Sequence, residues 1–494
     1  MNEKDFSIIT RRKFIRRAAC AAVGTVAMTS TIRDLRFMNA AVAQSNITDY
    51  KALVCIFLQG GNDSNNLIIP TLQSQYDNYA AVRTPVLAIP QSAILGVTSL
   101  DGNGNTYGLH PSCPELQTLF GEGKLAFLFN TGTLVYPITR AGYLAGTTAK
   151  PPQLFSHADQ QTQWQTSVPD QPPTTGWGGR CADLLNAVQP NSPISLVVTL
   201  AGANTFEVGN IVAEYSVSTS GAVSLSLPTS PSGGASTNRL PALLNLLGLP
   251  YTNLQSQAYA GVAEHAINTS TLLNSAIAGT TGNYWTTPFP TNITPPESGA
   301  AAFASTLSPQ LQMVARLIAA GSTAAANGGF GMKRQIFFCQ IGGYDLHSGQ
   351  TNYSTNAPNN VLLGAHTNLL AELSQSMNAF QRAMEQLGLS NNVTAFTASD
   401  FGRTFPSNGQ GSDHGWGSHH LILGGAVKGQ RTYGTFPSLT VNGPDDTGTG
   451  RWIPTTAIDQ YFATLSTWFG VDSGNLATVF PNIGRFPTAN LGFI

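Results

Sequence analysis

Apolar runs of strand length recur along the chain, separated by segments with helical spacing. Ala52–Leu58 (ALVCIFL) reads as a strand buried on both faces, ending at Gln59-Gly60-Gly61-Asn62-Asp63. Leu125–Asn130, Ile194–Leu200, Gln335–Ile341 and Val393–Ala398 repeat the pattern. The last two run into Gly342-Gly343-Tyr344-Asp345 and Ser399-Asp400. Continuous apolar strands, without polar alternation, are what a parallel sheet covered by helices on both faces requires. Helices are predicted over Pro114–Gly121, Leu307–Ala325, Asn368–Leu387 and Thr456–Phe469. Ser308-Pro309 supplies a helix start with proline in the first turn. Ser216–Thr237 and Thr280–Ala300 read as loops or β excursions. The simplest architecture is one α/β domain over 44–494, with long insertions at about residues 201–300.

Composition narrows the class. Of 494 residues only 10% are charged, against roughly a quarter in an ordinary soluble protein, while 42% are hydrophobic. That balance excludes a disordered chain. The formal net charge of -1 hides an asymmetry. Eight of the 24 Lys/Arg and three of the 25 acids lie in residues 1–43, leaving 16 basic against 22 acidic residues and a net charge of -6 beyond Ala43. The remaining basic residues are scattered, which excludes nucleic-acid binding driven by phosphate neutralisation.

The basic N-terminus has its own logic. Thr10-Arg11-Arg12-Lys13-Phe14-Ile15 is a twin-arginine sequence, followed by a short Ala/Gly-rich apolar stretch from Ala18 to Met28 and a small-x-small site at Ala41-Val42-Ala43. Residues 1–43 therefore read as a twin-arginine signal peptide, with the twin-arginine translocase as a partner during export and a periplasmic or secreted destination. The apolar stretch is too short to span a bilayer, and no later segment approaches 18 uninterrupted apolar residues. Cys20 reads as a passive member of the leader. Four cysteines follow it: Cys55, Cys113, Cys181 and Cys339, without a CxxC pair. Cys55 and Cys339 fall inside strand-like runs and are expected to be buried thiols. Spacing leaves a Cys113–Cys181 disulfide open.

Asp63, Asp345 and Asp400 each follow a predicted strand through a short turn. Ligands of an open parallel sheet sit beyond the carboxyl ends of its strands, so these acids are placed to converge. Carboxylates brought together repel unless a cation or protons compensate. Histidine sharpens the pattern. His347 lies two residues after Asp345, and Ser412-Asp413-His414-Gly415-Trp416-Gly417-Ser418-His419-His420 carries three of the eight histidines. Mixed Asp and imidazole ligands suit Zn, Mn or Fe, whereas oxygen alone favours Mg or Ca. His419 and His420 would point to opposite faces of a strand, so only one can be a ligand. His265 and His366 read as ordinary helix or surface histidines. Ser156, before a helical stretch, is either an N-cap or a nucleophile held where backbone N–H groups favour an anion. Arg403 is a candidate clamp for anionic oxygens, its bland alternative being a structural ion pair. Asp101-Gly102-Asn103-Gly104-Asn105 resembles the start of a calcium loop but lacks the distal Glu, so a turn is expected. Asp445-Asp446 is expected to be a surface turn.

The ordered set of motifs resembles a known family. It comprises the twin-arginine leader, Gly60-Gly61-Asn62-Asp63, Leu109-His110-Pro111, Phe155-Ser156-His157, Gly176-Trp177-Gly178-Gly179-Arg180, Gly343-Tyr344-Asp345-Leu346-His347, Ser399-Asp400-Phe401-Gly402-Arg403-Thr404 and Asp413-His414-Gly415-Trp416-Gly417. This is similar to the bacterial family catalogued as domain of unknown function 1501, related to the alkaline phosphatase and sulfatase superfamily. The resemblance covers nearly the whole mature chain. It implies an alkaline-phosphatase-like three-layer α/β/α sandwich with a mostly parallel sheet, and a centre of two divalent metal ions. Asp63, Asp345, His347, Asp400 and His414 would be ligands by that analogy, with Asp413 and His419 as further candidates. The superfamily commonly has an Asp-His pair where Asp400-Phe401 stands here, so one ligand must come from elsewhere, His414 being the candidate. Asp400 also stands where the family more often has Glu. No Cys-x-Pro-x-Arg sulfatase signature is present.

Three readings of function follow. The first is an exported metal-dependent hydrolase of phosphate or sulfate esters, with a two-metal mechanism, an anionic ester as substrate, Ser156 or an activated water as nucleophile, and Arg403 holding substrate oxygens. The second is a non-catalytic exported metal-containing protein that binds a surface polymer or partner, since a fold alone does not guarantee chemistry. The third is a structural Ca site that only stiffens loops.

Overall fold

Side chains of the first strand alternate between two cores, which sets the layering of the whole molecule. In β1 (Lys51–Leu58), Ala52, Val54, Ile56 and Leu58 enter one buried cluster, while Leu53, Cys55 and Phe57 enter the other. A strand sends successive side chains to opposite faces, so an all-apolar strand needs cover on both. The computed structural model describes residues 47–102, 104–186, 189, 192, 194–222, 239–278 and 286–494. The expected leader, Cys20 and the His265 side chain lie outside the described residues.

A ten-stranded sheet runs through the middle. Its remaining strands are β2 (Leu125–Gly132), β3 (Val197–Thr199), β4 (Tyr215–Ser218), β5 (Gly221–Ala222), β6 (Arg334–Ile341), β7 (Val393–Ser399), β8 (Ser418–Leu423), β9 (Thr432–Tyr433) and β10 (Thr456–Ala457). Their order is β9-β2-β8-β7-β1-β6-β3-β4-β5, with β10 also on β2. The centre, β7-β1-β6-β3, is parallel. The pairs β7–β8, β8–β2 and β4–β5 are antiparallel. On one face lie α1 (Pro114–Gly121), α4 (Leu307–Ser322) and α5 (Ala365–Gln386). On the other lie α2 (His157–Thr166), α3 (Trp177–Leu185) and α6 (Ile458–Phe469). The protein is thus a three-layer α/β/α sandwich with a mixed, mostly parallel sheet.

Four local differences from the sequence reading have physical causes. α5 begins at Ala365 rather than Asn368, because the carbonyls of Gly349 and Gln350 accept the amides of Ala365 and His366. α4 stops at Ser322, where the chain reverses to feed β6 and Phe330 and Met332 donate back to Ala320 and Gly321. Residues Thr456 and Ala457 pair with β2 before α6 starts. The Ile194–Leu200 run contributes only three ladder residues as β3. Between β5 and β6 the expected excursion contains the helices Arg239–Leu247 and Leu254–Ala278. Asp446, read as a surface turn residue, is buried and accepts the amides of Asn442 and Arg451. The Cys113–Cys181 bond does not form. Cys113 packs in the core under α1 and α5 and Cys181 in the core under α3, so the sheet separates them, and both are buried free thiols. Among the described residues no helix is long and apolar enough to cross a membrane.

Candidate metal centre

Register brings the strand ends level. Leu58 stands opposite both Ile341 of β6 and Ser399 of β7. The loops after these three strands therefore leave the sheet side by side, 283 and 341 positions apart in sequence from Leu58. Gly60 and Gly61 turn the chain with φ of 115° and 85°, a region that favours glycine. A Cβ at Gly60 would strike the backbone of Asp345, and one at Gly61 the ring of Phe401. The Gly60 amide donates to Asp400 Oδ1 at 3.1 Å and its carbonyl accepts from Arg403 Nη1 at 3.3 Å. This tight turn stitches the three loops together.

Above them four side chains meet. His414 Nε2 lies 3.1 Å from His157 Nε2, 2.9 Å from His347 Nε2 and 3.2 Å from Asp345 Oδ1. His157 Nε2 is 3.4 Å from Asp345 Oδ2, and His347 Nε2 is 3.1 Å from Asp345 Oδ1. His157, Asp345 and His414 offer ligand atoms that all lie within 4.8 Å of one another. The edges among these three bracket the ~3.3 Å spacing of ligands around a tetrahedral zinc, and His347 stands beside them, next to His414 and Asp345.

The other nitrogen of each ring decides what the cluster is. His157 Nδ1 is 2.7 Å from Asp400 Oδ2, His347 Nδ1 is 3.0 Å from Asp413 Oδ1, and His414 Nδ1 is 2.7 Å from the Phe155 carbonyl. All three partners are oxygens that can only accept, when the acids are ionised. Each Nδ1 therefore carries a proton, and in its neutral form each ring turns an Nε2 lone pair toward the others. Such lone pairs beside a carboxylate repel unless a cation or a proton lies among them. Ring nitrogens oriented from behind by carboxylates and a carbonyl are the arrangement that imidazole metal ligands need. The residues present thus fit a divalent metal ion, and their mixed N/O character suits a transition metal.

The surroundings hold this geometry. Phe401, fully buried, packs its ring 4.8 Å from that of His157 and 4.7 Å from that of His414. Phe155 adopts φ 73°, which aims its carbonyl at His414. Arg451 stacks over the Phe155 ring at 4.5 Å and donates to the His414 carbonyl at 2.7 Å. Arg403 donates to Asp345 Oδ1 at 2.8 Å. Burial pushes the Asp345 pKa up, but Arg403, with smaller help from His157 and His347, outweighs it, so the carboxyl sits below its ordinary range. The Asp400 hydrogen bond raises the pKa of His157, making the ring a stronger donor, whereas burial lowers that of His414. The Asn408 hydrogen bond, joined by His347, holds Asp413 down. The Asp345 and His347 side chains remain 44% and 46% exposed, so one side of the cluster is open to solvent.

All of these residues except Arg451 fall within 50–447, which match the family described as "Protein of unknown function (DUF1501)". The chain belongs to that family. No curated protein matches it. Solved structures that resemble the DUF1501 chain include the PsFucS1 sulfatase from Pseudoalteromonas sp., at 10% identity, covering 89% of this chain and 72% of that one, with a TM-score of 0.31. Another is the phosphonate monoester hydrolase SpPMH from Silicibacter pomeroyi, at 9% identity, 86% and 74% coverage and a TM-score of 0.33. A third is the C-terminal periplasmic domain of EcEptC from Escherichia coli in complex with Zn, at 11% identity, 78% and 75% coverage and a TM-score of 0.26. At such scores the likeness is loose, and the chemistry of the DUF1501 chain has to come from its own residues.

The expected site residues divide into three groups. Asp345, His347 and His414 stand in the cluster itself. Asp400 and Asp413 stand behind it, each bonded to an imidazole Nδ1. Asp63 and His419 lie elsewhere. Asp63 is 2% exposed and pairs with Arg83 and Gln350. His419 is buried against Phe129 and Phe436, and its Nδ1 accepts the Asn130 amide. His420 points to the opposite face, against Trp164. Ser156 stands at the N-cap position of α2 without a side-chain bond to the helix backbone, its hydroxyl instead donating to Asp159 Oδ2 at 2.6 Å. Arg403 is 1% exposed, with Nη1 on Asp345 and Gly60 and Nη2 on the Ser412 carbonyl. His366, expected as an ordinary histidine, is buried with Nε2 3.0 Å from Asn62 Oδ1.

Two participants escape the sequence reading. His157 bonds Asp400 through Nδ1 and packs on Phe401, the residue that follows Asp400. Gln161, one helical turn on, donates to the same Asp400 oxygen at 2.8 Å. The i, i+4 spacing of His157 and Gln161 was a visible signal, since it puts both on one face of a helix. What it faces is visible only in the fold.

Proposed function

We propose that this chain is an exported, metal-dependent hydrolase of phosphate or sulfate esters. The observation that carries the reading is the convergence of the His157 and His414 Nε2 atoms with Asp345, beside His347, on an open face. His157, His414 and Asp345 would hold a divalent ion, with His347 alongside. Such an ion supplies Lewis-acid polarisation of an ester oxygen and lowers the pKa of a nucleophile. Asp400, Asp413 and the Phe155 carbonyl keep the three rings in the ligating tautomer. Arg403 anchors Asp345 from beneath rather than reaching substrate. Ser156, at the N-terminus of α2, is the proposed nucleophile, with Asp159 as acceptor of its proton. Hydrolysis adds water across the ester, releasing an alcohol and the phosphate or sulfate.

The purified protein, loaded with Zn or Mn, would be assayed on nitrophenyl esters of phosphate, phosphodiester and sulfate. Asp345→Ala and His414→Ala should abolish turnover while folding is retained. Undiminished turnover in folded variants overturns the reading. One observation favours a metal-containing binding protein instead: Arg403, the cation expected to hold substrate oxygens, is buried and committed to protein acceptors. Bound metal without turnover on any ester class would select that alternative.

A further inference from the structure

The resemblance implies two metal ions, and the acids available to share them are already engaged. Asp63 Oδ2 accepts from Arg83 Nη2 and Gln350 Nε2, and Oδ1 accepts from Asn65 Nδ2 at 3.3 Å. Asp400 Oδ1 accepts the Gly60 amide, and Oδ2 accepts from Gln161 and His157. Both carboxylates are at most 2% exposed.

A protein cation already serves Asp63. Arg83 is fully buried and its Nη1 also donates to the carbonyls of Thr404 and Phe405, at 3.2 Å and 3.0 Å, so it is fixed beside Asp63. Between Asp63 and the histidine cluster run Gln350, Ser412 and Arg403. Ser412 Oγ donates to Gln350 at 2.7 Å, Arg403 Nη2 donates to the Ser412 carbonyl, and Asn65 bridges Asp63 to the Arg403 carbonyl at 3.3 Å.

We propose that the centre takes a single divalent transition-metal ion, at His157, Asp345 and His414 with His347 beside them, and that the guanidinium of Arg83 serves Asp63 in place of a second ion. This rests on the metal reading above but not on ester hydrolysis. The test is metal stoichiometry of the purified chain by elemental analysis, then calorimetric titration of chelator-stripped protein with Zn. One equivalent per chain is expected. Asp63→Asn/Arg83→Met, which removes the charged pair as a unit, should keep that equivalent and its affinity within about a factor of two, as for sites that do not interact. If that variant does not fold, the wild-type stoichiometry still decides. Two equivalents in the wild type, or loss of the ion from the folded double variant, overturns the proposal. Two equivalents with ester turnover overturns it while leaving the hydrolase standing. One equivalent without turnover supports it and removes the hydrolase. No bound ion overturns both.

Discussion

Asp400→Asn isolates the part of the centre that never touches the ligand position. Asp400 is fully buried, and Asn is isosteric, so packing is preserved. The Gly60 amide, 3.1 Å from Oδ1, needs an acceptor, which holds the Asn oxygen at that side. The NH2 group then faces His157 Nδ1 and Gln161 Nε2, where Oδ2 now accepts at 2.7 Å and 2.8 Å. Donor meets donor. His157 relieves the clash by moving its proton to Nε2, which removes the lone pair from the centre. Loss of such an orienting partner typically lowers metal affinity 10–100-fold, or about 1.4–2.7 kcal/mol. The assay is competition against a chromophoric chelator of known affinity, with folding checked by circular dichroism. Gln161→Leu serves as the comparison, because it removes a second donor from the same Asp400 oxygen but leaves the acceptor of His157 Nδ1 in place, and its loss should be several-fold smaller. Wild-type metal affinity in Asp400→Asn would refute the tautomer argument. So would an equal loss in Gln161→Leu.

Three further outcomes follow from the same geometry. Arg83→Met leaves Asp63 buried without its cation and should destabilise the fold by about 3–5 kcal/mol in denaturant titrations, most of it recovered in the Asp63→Asn/Arg83→Met double variant; no recovery would show that Arg83 acts through its packing alone. Gly61→Ala places a Cβ against Phe401 at φ 85°, so it should cost about 1–3 kcal/mol and weaken metal binding, since Phe401 supports the His157 and His414 rings; unchanged affinity counts against that support. Burial drives the pKa of His420 down to about 3, well below the ~6.5 of an unfolded chain, so the unfolded state binds the proton first and stability falls as pH drops below that value. His420→Leu should therefore lose about 1.6 kcal/mol less than wild type between pH 6.5 and pH 5, and an identical acid loss would mean that His420 is not held neutral.

Much of the scaffold is legible in the linear chain because burial on both faces leaves a local mark. A parallel strand covered by helices admits no polar alternation, so Ala52–Leu58, Gln335–Ile341 and Val393–Ala398 stand out as β1, β6 and β7. The glycine turns and acids that follow them place Asp345 and Asp400 at the same sheet edge, and the Asp413-His414 motif marks the fourth contributor. What composition and spacing cannot express is direction. Asp63, Asp345 and Asp400 look alike as strand-end acids, yet one faces Arg83, one faces three imidazoles and one stands behind His157. His157 looks like the first residue of a helix and becomes a ligand candidate only because α2 is laid across the end of β7. The order of residues was enough to set the layers and the edge of the sheet where the chemistry would gather, because those follow from the periodicity of burial. Which nitrogen carries a proton, and which acid faces the centre, emerged with the folded chain, because both depend on partners that strand register brings together from hundreds of residues apart.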